Sequence, residues 1–191
     1  GDGLESDFPK YLYEGKEIAS GKVVTFTTEA VVSENRCTPV PQDTPRELCA
    51  LLGCGLSTAL GVVENDARIG FGESVLVIGL GGLGVNLIRA SKLRQASRVV
   101  AVDIHESKRA LAESLGASYA LSSDIGTTGR FDAIVDTTGH PDAFNAALPL
   151  LNSGGRYVMV GQPKPGAALV MANAKHMFDG EGKSICATQG G

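Results

Sequence analysis

A glycine-rich segment that follows a short apolar run is the strongest chemical signal in this sequence. The segment is Gly79-Leu80-Gly81-Gly82-Leu83-Gly84, and the run before it is Val75-Leu76-Val77-Ile78. Glycines at this spacing permit a tight turn from strand to helix, close approach of the backbone to a pyrophosphate, and close helix packing. The free amides and dipole at the helix start also favour negative charge. The spacing therefore predicts that residues 79–84 bind a dinucleotide.

An acidic residue at the end of the next apolar run completes this pattern. Asp103 follows Val100-Ala101-Val102 and lies 19 residues after Gly84. A carboxylate at that position accepts hydrogen bonds from both hydroxyls of the adenosine ribose and repels a 2′-phosphate. Asp103 therefore favours NAD over NADP as the cofactor.

Two alternative interpretations account for less of the pattern. In the first, residues 79–84 form a tight loop without a ligand and Asp103 is a solvated helix cap, but strand, loop, helix, strand and acid all occur here in order. In the second, the chain is a methyltransferase, whose loop usually reads Gly-x-Gly-x-Gly. Leu83 occupies the position where that loop has its third glycine.

The segments around the loop predict an α/β fold with a doubly wound parallel sheet, the Rossmann architecture. Wholly apolar runs indicate strands that are buried on both faces, and their alternation with helices indicates parallel pairing. The predicted strands are Ser74–Ile78, Arg98–Val102, Phe131–Val135 and Tyr157–Val160, with a weaker one at Tyr119–Leu121. The predicted crossover helices are Gly82–Gln95 and Glu106–Leu115, the second of which ends at Gly116.

The sequence before the glycine loop has a different character. The β-branched residues 22–32 predict an exposed or edge strand. Thr44-Pro45-Arg46-Glu47 predicts a helix start, with Thr44 as the N-cap and Glu47 completing a capping box, and the helical region continues to about Glu64. We therefore divide the chain into residues 1–43 and a dinucleotide-binding domain at residues 44–191.

Composition excludes some classes of partner. The formal net charge of −4 and the lack of a lysine and arginine run argue against nucleic acid. No apolar stretch approaches the roughly 20 residues needed to span a bilayer, so we expect no membrane partner. The cysteines form no Cys-x-x-Cys pair and fit a reducing cytoplasm; they are Cys37, Cys49, Cys54 and Cys186.

Several segments together resemble the zinc-containing alcohol dehydrogenases of the medium-chain dehydrogenase/reductase family. The first is Leu51-Leu52-Gly53-Cys54-Gly55-Leu56-Ser57-Thr58-Ala59-Leu60-Gly61, about twenty residues before the glycine loop. The others are the loop itself, Asp103-Ile104, Lys108, Val135–Gly139, Met159–Pro163 and Lys183–Gly191. The resemblance runs through nearly the whole chain from Gly21 onward, in the family's order.

The resemblance implies a set of residues that contact NAD along the nicotinamide, the pyrophosphate and the adenosine ribose. They are Thr58, Gly79, Leu80, Gly81, Gly82, Leu83, Gly84, Asp103, Ile104, Lys108, Thr137, Thr138, Val160, Gly161, Gln162, Ala187 and Gln189. It also implies that Cys54 is a ligand of the catalytic zinc. From the residues alone, Cys54 fits a small core residue, Lys108 a solvated helix residue and Thr58 a self-bonded helix hydroxyl.

Other features of the family are not found in this sequence. Its first zinc-ligand cysteine, its Gly-His-Glu segment and its four-cysteine lobe are missing, and His105, His140 and His176 have no metal-ligand spacing. Residues 1–43 resemble the end of the family's GroES-like catalytic domain. Because catalytic zinc needs three protein ligands, we expect the chain alone to be inactive.

Two functions remain open from the sequence. The resemblance implies the coenzyme-binding portion of an oxidoreductase that transfers a hydride between NAD and a small alcohol or aldehyde with the help of zinc. A homodimer formed through the Rossmann domain is compatible with it. The alternative is a non-catalytic dinucleotide-binding or regulatory module within a larger protein.

Overall fold

The computed structural model describes residues 11–18, 27–120, 122–171, 173–180 and 182–189. The chain divides into two compact units, Gly1–Thr44 and Pro45–Gly191. This boundary lies one residue from the predicted one. The assignment of the first unit to a catalytic-domain remnant stays a prediction.

The first unit contains an antiparallel hairpin that the sequence analysis did not foresee. Strand β1 (Tyr11–Tyr13) pairs with β2 (Lys16–Ile18), and Glu14 and Gly15 turn the chain with positive φ angles of 50° and 72°. The predicted strand at residues 22–32 is wrong for residues 27–32, which are exposed and form no strand. A strand without a partner is not stable in water. Residues 22–26 lie outside the described part of the chain.

The second unit begins with the predicted helical region. It comprises α1 (Arg46–Leu51), a π-helical turn at Leu52–Leu56, α2 (Ser57–Gly61) and a second π-helical turn at Val62–Asp66. The predicted Thr44 cap and capping box are wrong, because Pro45 is the N-cap and no side chain caps the helix. Pro45 is extended, with ψ of 133°, and its carbonyl accepts the first hydrogen bonds, from the amides of Leu48 and Cys49.

This helical region bears on the expectation that the chain has no membrane partner, which stays a prediction. Arg46–Asp66 is a helical run of 21 residues that is long and apolar enough, by length and composition, to cross a membrane. Core helices of soluble proteins pass the same test. Ala59, Val62 and Val63 from this run are buried in the core under the sheet, so part of its apolar surface already has a partner within the unit.

The rest of the second unit forms a six-stranded parallel sheet with the strand order β5-β4-β3-β6-β7-β8. In chain order the elements are β3 (Ser74–Ile78), α3 (Gly82–Leu93), β4 (Arg98–Val102), α4 (Arg109–Ser114), β5 (Ser118–Ala120), β6 (Phe131–Asp136), α5 (Pro141–Ala147), β7 (Leu151–Met159) and β8 (Ser184–Ala187). Numbered within the sheet, this is the order 3-2-1-4-5-6 of the Rossmann fold. The predicted fold class is therefore confirmed.

The core lies on both faces of this sheet. Val75 and Val77 of β3 point into one apolar cluster, which includes Leu87 and Ile88 of α3. The alternate residues of β3 point into a second cluster, which includes Phe144 of α5. Strands covered on both faces explain why the apolar runs are continuous and not alternating.

Several element boundaries differ from the prediction. Helix α3 ends at Leu93, and the second predicted helix starts as a 3₁₀ turn at Glu106–Lys108 before α4. Gly116, with φ of 83°, turns the chain after α4 as expected. Strand β7 begins at Leu151, earlier than predicted, since the strand continues through Ser153-Gly154-Gly155 with a register shift against β6. The last residue of the weak predicted strand, Leu121, lies outside the described residues.

Candidate functional site

A cleft of about 760 Å³ opens at the carboxyl ends of β3, β4 and β6. It lies where the strand order reverses, because the chain leaves β3 toward β4 on one side and β6 leads to β7 on the other. Ligands of open α/β sheets bind at such switch points. The lining residues are Ile78, Gly79, Gly81, Val102, Asp103, Ile104, His105, Lys108, Ile125, Thr137, Thr138, His140, Asp142, Ala143 and Ala146.

The glycines of the loop have different physical roles. A Cβ on Gly79, whose φ is +90°, would overlap the Thr137 hydroxyl, and a Cβ on Gly84 would overlap the carbonyl oxygen of Gly79. The fold therefore requires the first and last glycines of the motif. A Cβ on Gly81 or Gly82 would meet no described atom within 4 Å. Gly81 faces the cleft, so its lack of a side chain keeps space open for a ligand.

Asp103 ties the glycine loop to the end of β4. Its carboxylate is 7% exposed and accepts hydrogen bonds from the backbone amides of Leu80 and His105, both at 2.8 Å. Lys108 Nζ lies 3.1 Å from Asp103 Oδ2. Burial raises the pKa of Asp103, but these amides and Lys108 together lower that pKa below its ordinary value of 3.8. Asp103 is therefore a carboxylate at neutral pH.

The hydrogen bonds of Asp103 limit what it can offer a ligand. A carboxylate has about four acceptor positions, and Leu80, His105 and Lys108 fill most of them. The predicted contact with both ribose hydroxyls therefore requires Lys108, which is partly exposed, to move. Lys108 is thus an ion-pair partner of Asp103, and the interpretation of Lys108 as a solvated helix residue is wrong.

Thr137 and Thr138 form the opposite wall of the cleft, directly after β6. The Thr137 hydroxyl donates to the carbonyls of Ile78, at 2.9 Å, and Gly79, at 3.2 Å. The amide and hydroxyl of Thr138 donate to Asp136 Oδ1 at 2.7 Å and 2.6 Å. The wall is therefore bonded both to the glycine loop and to a buried carboxylate.

The predicted positions after β7 and β8 lie at the same edge of the sheet but do not line the cleft. The amides of Val160 and Gly161 donate to the carbonyl of Asp136 at 2.8 Å and 3.0 Å. A Cβ on Gly161 would overlap the backbone of Gly139, and a Cβ on Gly139 would lie 2.6 Å from the carbonyl oxygen of Gln162. The segments after β6 and β7 are therefore packed backbone against backbone.

The remaining predicted residues lie in three places. Leu80 is buried in the loop, and Gly82, Leu83 and Gly84 form the first turn of α3. Ala187 pairs with Met159 between β8 and β7, and Gln189 follows two residues later, while Thr58 lies on α2. The structure therefore brings part of the predicted set together around one cleft and leaves the other predicted residues outside its lining; those that line it are Gly79 and Gly81 of the loop, Asp103, Ile104, Lys108, Thr137 and Thr138.

The described residues do not form a zinc site. Cys54 lies on the first π-helical turn and is exposed, so it is not the small core residue considered from the sequence. In the part of the chain that the structure describes, no three His, Cys, Asp or Glu side chains are grouped to hold a metal. The described residues alone do not fit zinc, and Cys54 as a zinc ligand of the intact protein stays a prediction.

Two buried residues beside the cleft, Asp136 and Tyr157, were not predicted as site residues. Asp136 is 1% exposed, and its Oδ2 accepts a hydrogen bond of 3.1 Å from the Tyr157 hydroxyl. The sequence does contain a signal for Asp136, because a charged residue that ends a wholly apolar strand needs partners. The partner Tyr157 is 21 residues away in the chain and gives no local signal.

The strand order, the cleft at the switch point and the glycine loop bonded to Asp103 define a domain with the Rossmann fold. The zinc-binding dehydrogenase family matches residues 82–188, more than half of the chain. The chain belongs to this family, and the family predicted from the sequence is confirmed.

Two relatives of this chain are dehydrogenases of greater length. Geraniol dehydrogenase of Castellaniella defragrans is 37% identical over 153 residues, which are 75% of this chain and 41% of that protein. S-(hydroxymethyl)glutathione dehydrogenase of Paracoccus denitrificans is 26% identical over 162 residues, 76% of this chain and 43% of that protein. The chain thus spans about two fifths of the length of these curated relatives.

Solved structures show the same likeness. Benzyl alcohol dehydrogenase from Acinetobacter calcoaceticus matches with a TM-score of 0.79 and 30% identity, over 87% of this chain and 48% of that chain. An alcohol dehydrogenase zinc-binding domain protein from Burkholderia ambifaria matches with a TM-score of 0.71 and 31% identity, over 78% and 42% of the two chains.

Proposed function

We propose that this chain is the coenzyme-binding portion of an oxidoreductase that transfers a hydride between NAD and a small alcohol or aldehyde. The observation that carries the proposal is the hydrogen bond from Leu80 N to Asp103 Oδ2, since it joins the glycine loop to the acid beside one open cleft. The names of the relatives support an alcohol or aldehyde substrate.

The residues of the cleft suit a dinucleotide. The pyrophosphate would lie beside Gly81 at the start of α3, a helix of 12 residues whose free amides and dipole favour negative charge. The adenosine would lie between the apolar side chains of Ile104 and Ile125, with its ribose beside Asp103. The bound cofactor supplies the hydride chemistry, and the protein supplies binding and orientation.

The carboxylate of Asp103 supports NAD over NADP. A ribose hydroxyl can donate to the acceptor position that remains, whereas a 2′-phosphate would add charge beside a buried carboxylate. Lys108 offsets part of that repulsion. We therefore expect a preference for NAD and not an absolute exclusion of NADP.

Fluorescence titration of the purified chain with NADH and with NADPH tests the proposal. We expect NADH to bind with the lower dissociation constant. Equal or tighter binding of NADPH would contradict the NAD assignment, and no binding of either would overturn the whole proposal. In a parallel assay with zinc, NAD and a panel of primary alcohols, we expect no turnover above background.

The second candidate is a non-catalytic dinucleotide-binding module in a larger protein. It is favoured by the lack of a metal-binding group among the described residues. Both candidates bind NADH, so turnover by the full-length source protein separates them. Cytoplasmic location and the homodimer remain parts of the proposal for either candidate.

A further inference from the structure

We propose that Asp136, held by Tyr157, is a positioning residue of the cofactor cleft. It fixes Thr138 so that the Thr138 hydroxyl can only accept a hydrogen bond from the ligand. This inference rests on the proposed dinucleotide binding, and it specifies the chemical type of the ligand group that meets Thr138.

Both oxygens of the Asp136 carboxylate accept hydrogen bonds. Oδ1 accepts from the amide of Thr138 at 2.7 Å and from its hydroxyl at 2.6 Å, while Oδ2 accepts from the Tyr157 hydroxyl at 3.1 Å. Asp136 lies at the carboxyl end of β6 and is almost fully buried. Both of its oxygens are therefore bonded, and the carboxylate has a fixed orientation.

Tyr157 holds the far side of that carboxylate. Its ring is buried and packs edge-on against Phe144, with ring centroids 5.1 Å apart. Burial, and the carboxylate of Asp136 beside it, raise the pKa of the Tyr157 hydroxyl. Tyr157 therefore keeps its proton and acts as a hydrogen-bond donor to Asp136.

The Thr138 hydroxyl has few hydrogen-bonding positions left for a ligand. A threonine hydroxyl has one proton and two acceptor lone pairs. Its proton goes to Asp136, and the amide of His140 donates to the same oxygen at 3.2 Å. About one lone pair remains, and Thr138 lines the cleft. A ligand group that meets this hydroxyl must therefore be a donor.

This requirement selects among the parts of a dinucleotide. A ribose hydroxyl or an amide N–H can donate to Thr138, whereas a phosphate oxygen without a proton cannot. The phosphates are accordingly expected on the glycine-loop side of the cleft. The Thr138 side should receive a sugar hydroxyl or a carboxamide.

Asp132, on the same strand, provides a matched control. It also accepts several hydrogen bonds, from the amide and hydroxyl of Ser74 and from Asn152 Nδ2, but it lies at the other end of β6 and does not line the cleft. The two aspartates thus have similar bonding and differ in whether their partner faces the ligand.

The experiment measures NADH dissociation constants for the full 191-residue chain and for the Asp136→Asn, Thr138→Val and double variants, with Asp132→Asn as control. An asparagine oxygen cannot serve both Thr138 and Tyr157 as the carboxylate does. We expect Asp136→Asn to weaken NADH binding about 10-fold, the scale of one charge-assisted hydrogen bond. Asp132→Asn should change binding by less than about twofold, although it lowers the melting temperature.

The double variant separates positioning from general stability. If Asp136 acts through Thr138, adding Asp136→Asn to Thr138→Val should weaken binding by less than about a further twofold. The inference would be overturned, while the proposed function stood, by either of two results. In the first, the fold-changes of the two single variants multiply in the double variant; in the second, the dissociation constant of Asp136→Asn is unchanged. A wild-type chain that binds no NADH would overturn both.

Tyr157→Phe keeps the inference testable if Asp136→Asn does not fold. The phenylalanine retains the ring that packs on Phe144 and removes only the donor to Asp136 Oδ2. We expect a weakening of several-fold that disappears when Thr138 is already valine. A weakening of equal size in both backgrounds would show that Tyr157 does not act through Thr138.

Discussion

The carboxyl edge of the parallel sheet, where the strands end, and the amino edge, where they begin, use hydrogen-bonded acids for different purposes. Asp103 and Asp136 at the carboxyl edge are buried, whereas Glu73 and Asp132 at the amino edge are half-buried. At the carboxyl edge, Asp103 and Asp136 hold turns that border a cleft. At the amino edge, Asp132 bonds Ser74 and Asn152, and Glu73 pairs with Arg156. The amino-edge acids join strands to one another, and none of them lines the cleft. A hydrogen-bonded acid therefore marks a site only where space for a ligand adjoins it.

The largest expected effect is that of Gly84→Ala at the carboxyl edge. The added Cβ would overlap the carbonyl oxygen of Gly79, so the loop must shift. We expect a loss of about 1–3 kcal/mol of stability, as for overpacked sites, together with loss of detectable NADH binding. Chemical denaturation and fluorescence titration measure the two quantities. Gly82→Ala is the control, because its Cβ would meet no described atom within 4 Å and its stability should not fall.

Asp103→Ala tests whether the carboxyl-edge acid serves a ligand. We expect NADH binding to weaken by about 1–3 kcal/mol, since a charge-assisted hydrogen-bonding group is lost. The loop loses its bond from Leu80 as well, so some stability is lost too. Isothermal titration with NADH measures the effect. An unchanged dissociation constant would remove Asp103 from the binding site.

Arg156→Met tests the amino edge by the same measurements. Arg156 bonds the carboxylate of Glu73 and the carbonyl of Ala67, and its side chain is about one fifth exposed (22%). We expect a loss of about 1–2 kcal/mol of stability, at the lower end for a partly exposed charged pair. Under conditions where the variant is fully folded, its affinity for NADH should not change. A weaker affinity would mean that the two edges are coupled, and the comparison between them would fail.

The smallest expected effect is on acid stability. The pKa values of Asp103 and Asp132 lie below the ordinary 3.8 in the folded chain. For Asp132, burial raises the pKa, but the hydrogen bonds from Ser74 and Asn152 together lower it by more. A depressed folded pKa gives stability above the unfolded value and loses it as the pH falls through the folded value. Stability should therefore fall below about pH 4, and less steeply in Asp132→Asn. Urea unfolding at several pH values across that range measures the free energy of unfolding. If that free energy falls equally steeply with pH in the wild-type chain and in Asp132→Asn, the prediction is contradicted.

The sequence predicted the parts of the fold that depend on short-range patterns. The strands β3 and β4 have the predicted bounds because each is a continuous apolar run next to turn-forming residues. The loop and Asp103 were predictable because they belong to one strand-helix-strand unit. Their local pattern and their final structure agree.

Other elements depend on partners that are distant in the chain. The short strand β8 is specified by pairing with β7, and its four residues show no strand pattern of their own. The contact of Asp136 with Tyr157 requires β6 and β7 to be neighbours with a known register. Helix α5 did have a local signal, since Pro141 follows His140, whose ring accepts from the amide of Asp142.

The close packing of Gly139 and Gly161 has a consequence for tolerance to substitution. Their backbones lie so near each other that a Cβ on either residue would overlap main-chain atoms of the other segment. Moving a flexible side chain cannot relieve this, because the obstacle is backbone. In a library of all amino acids at each position, only glycine should survive selection for folding at these two residues. Such invariance would look like a catalytic requirement, yet its origin is the distance between two turns.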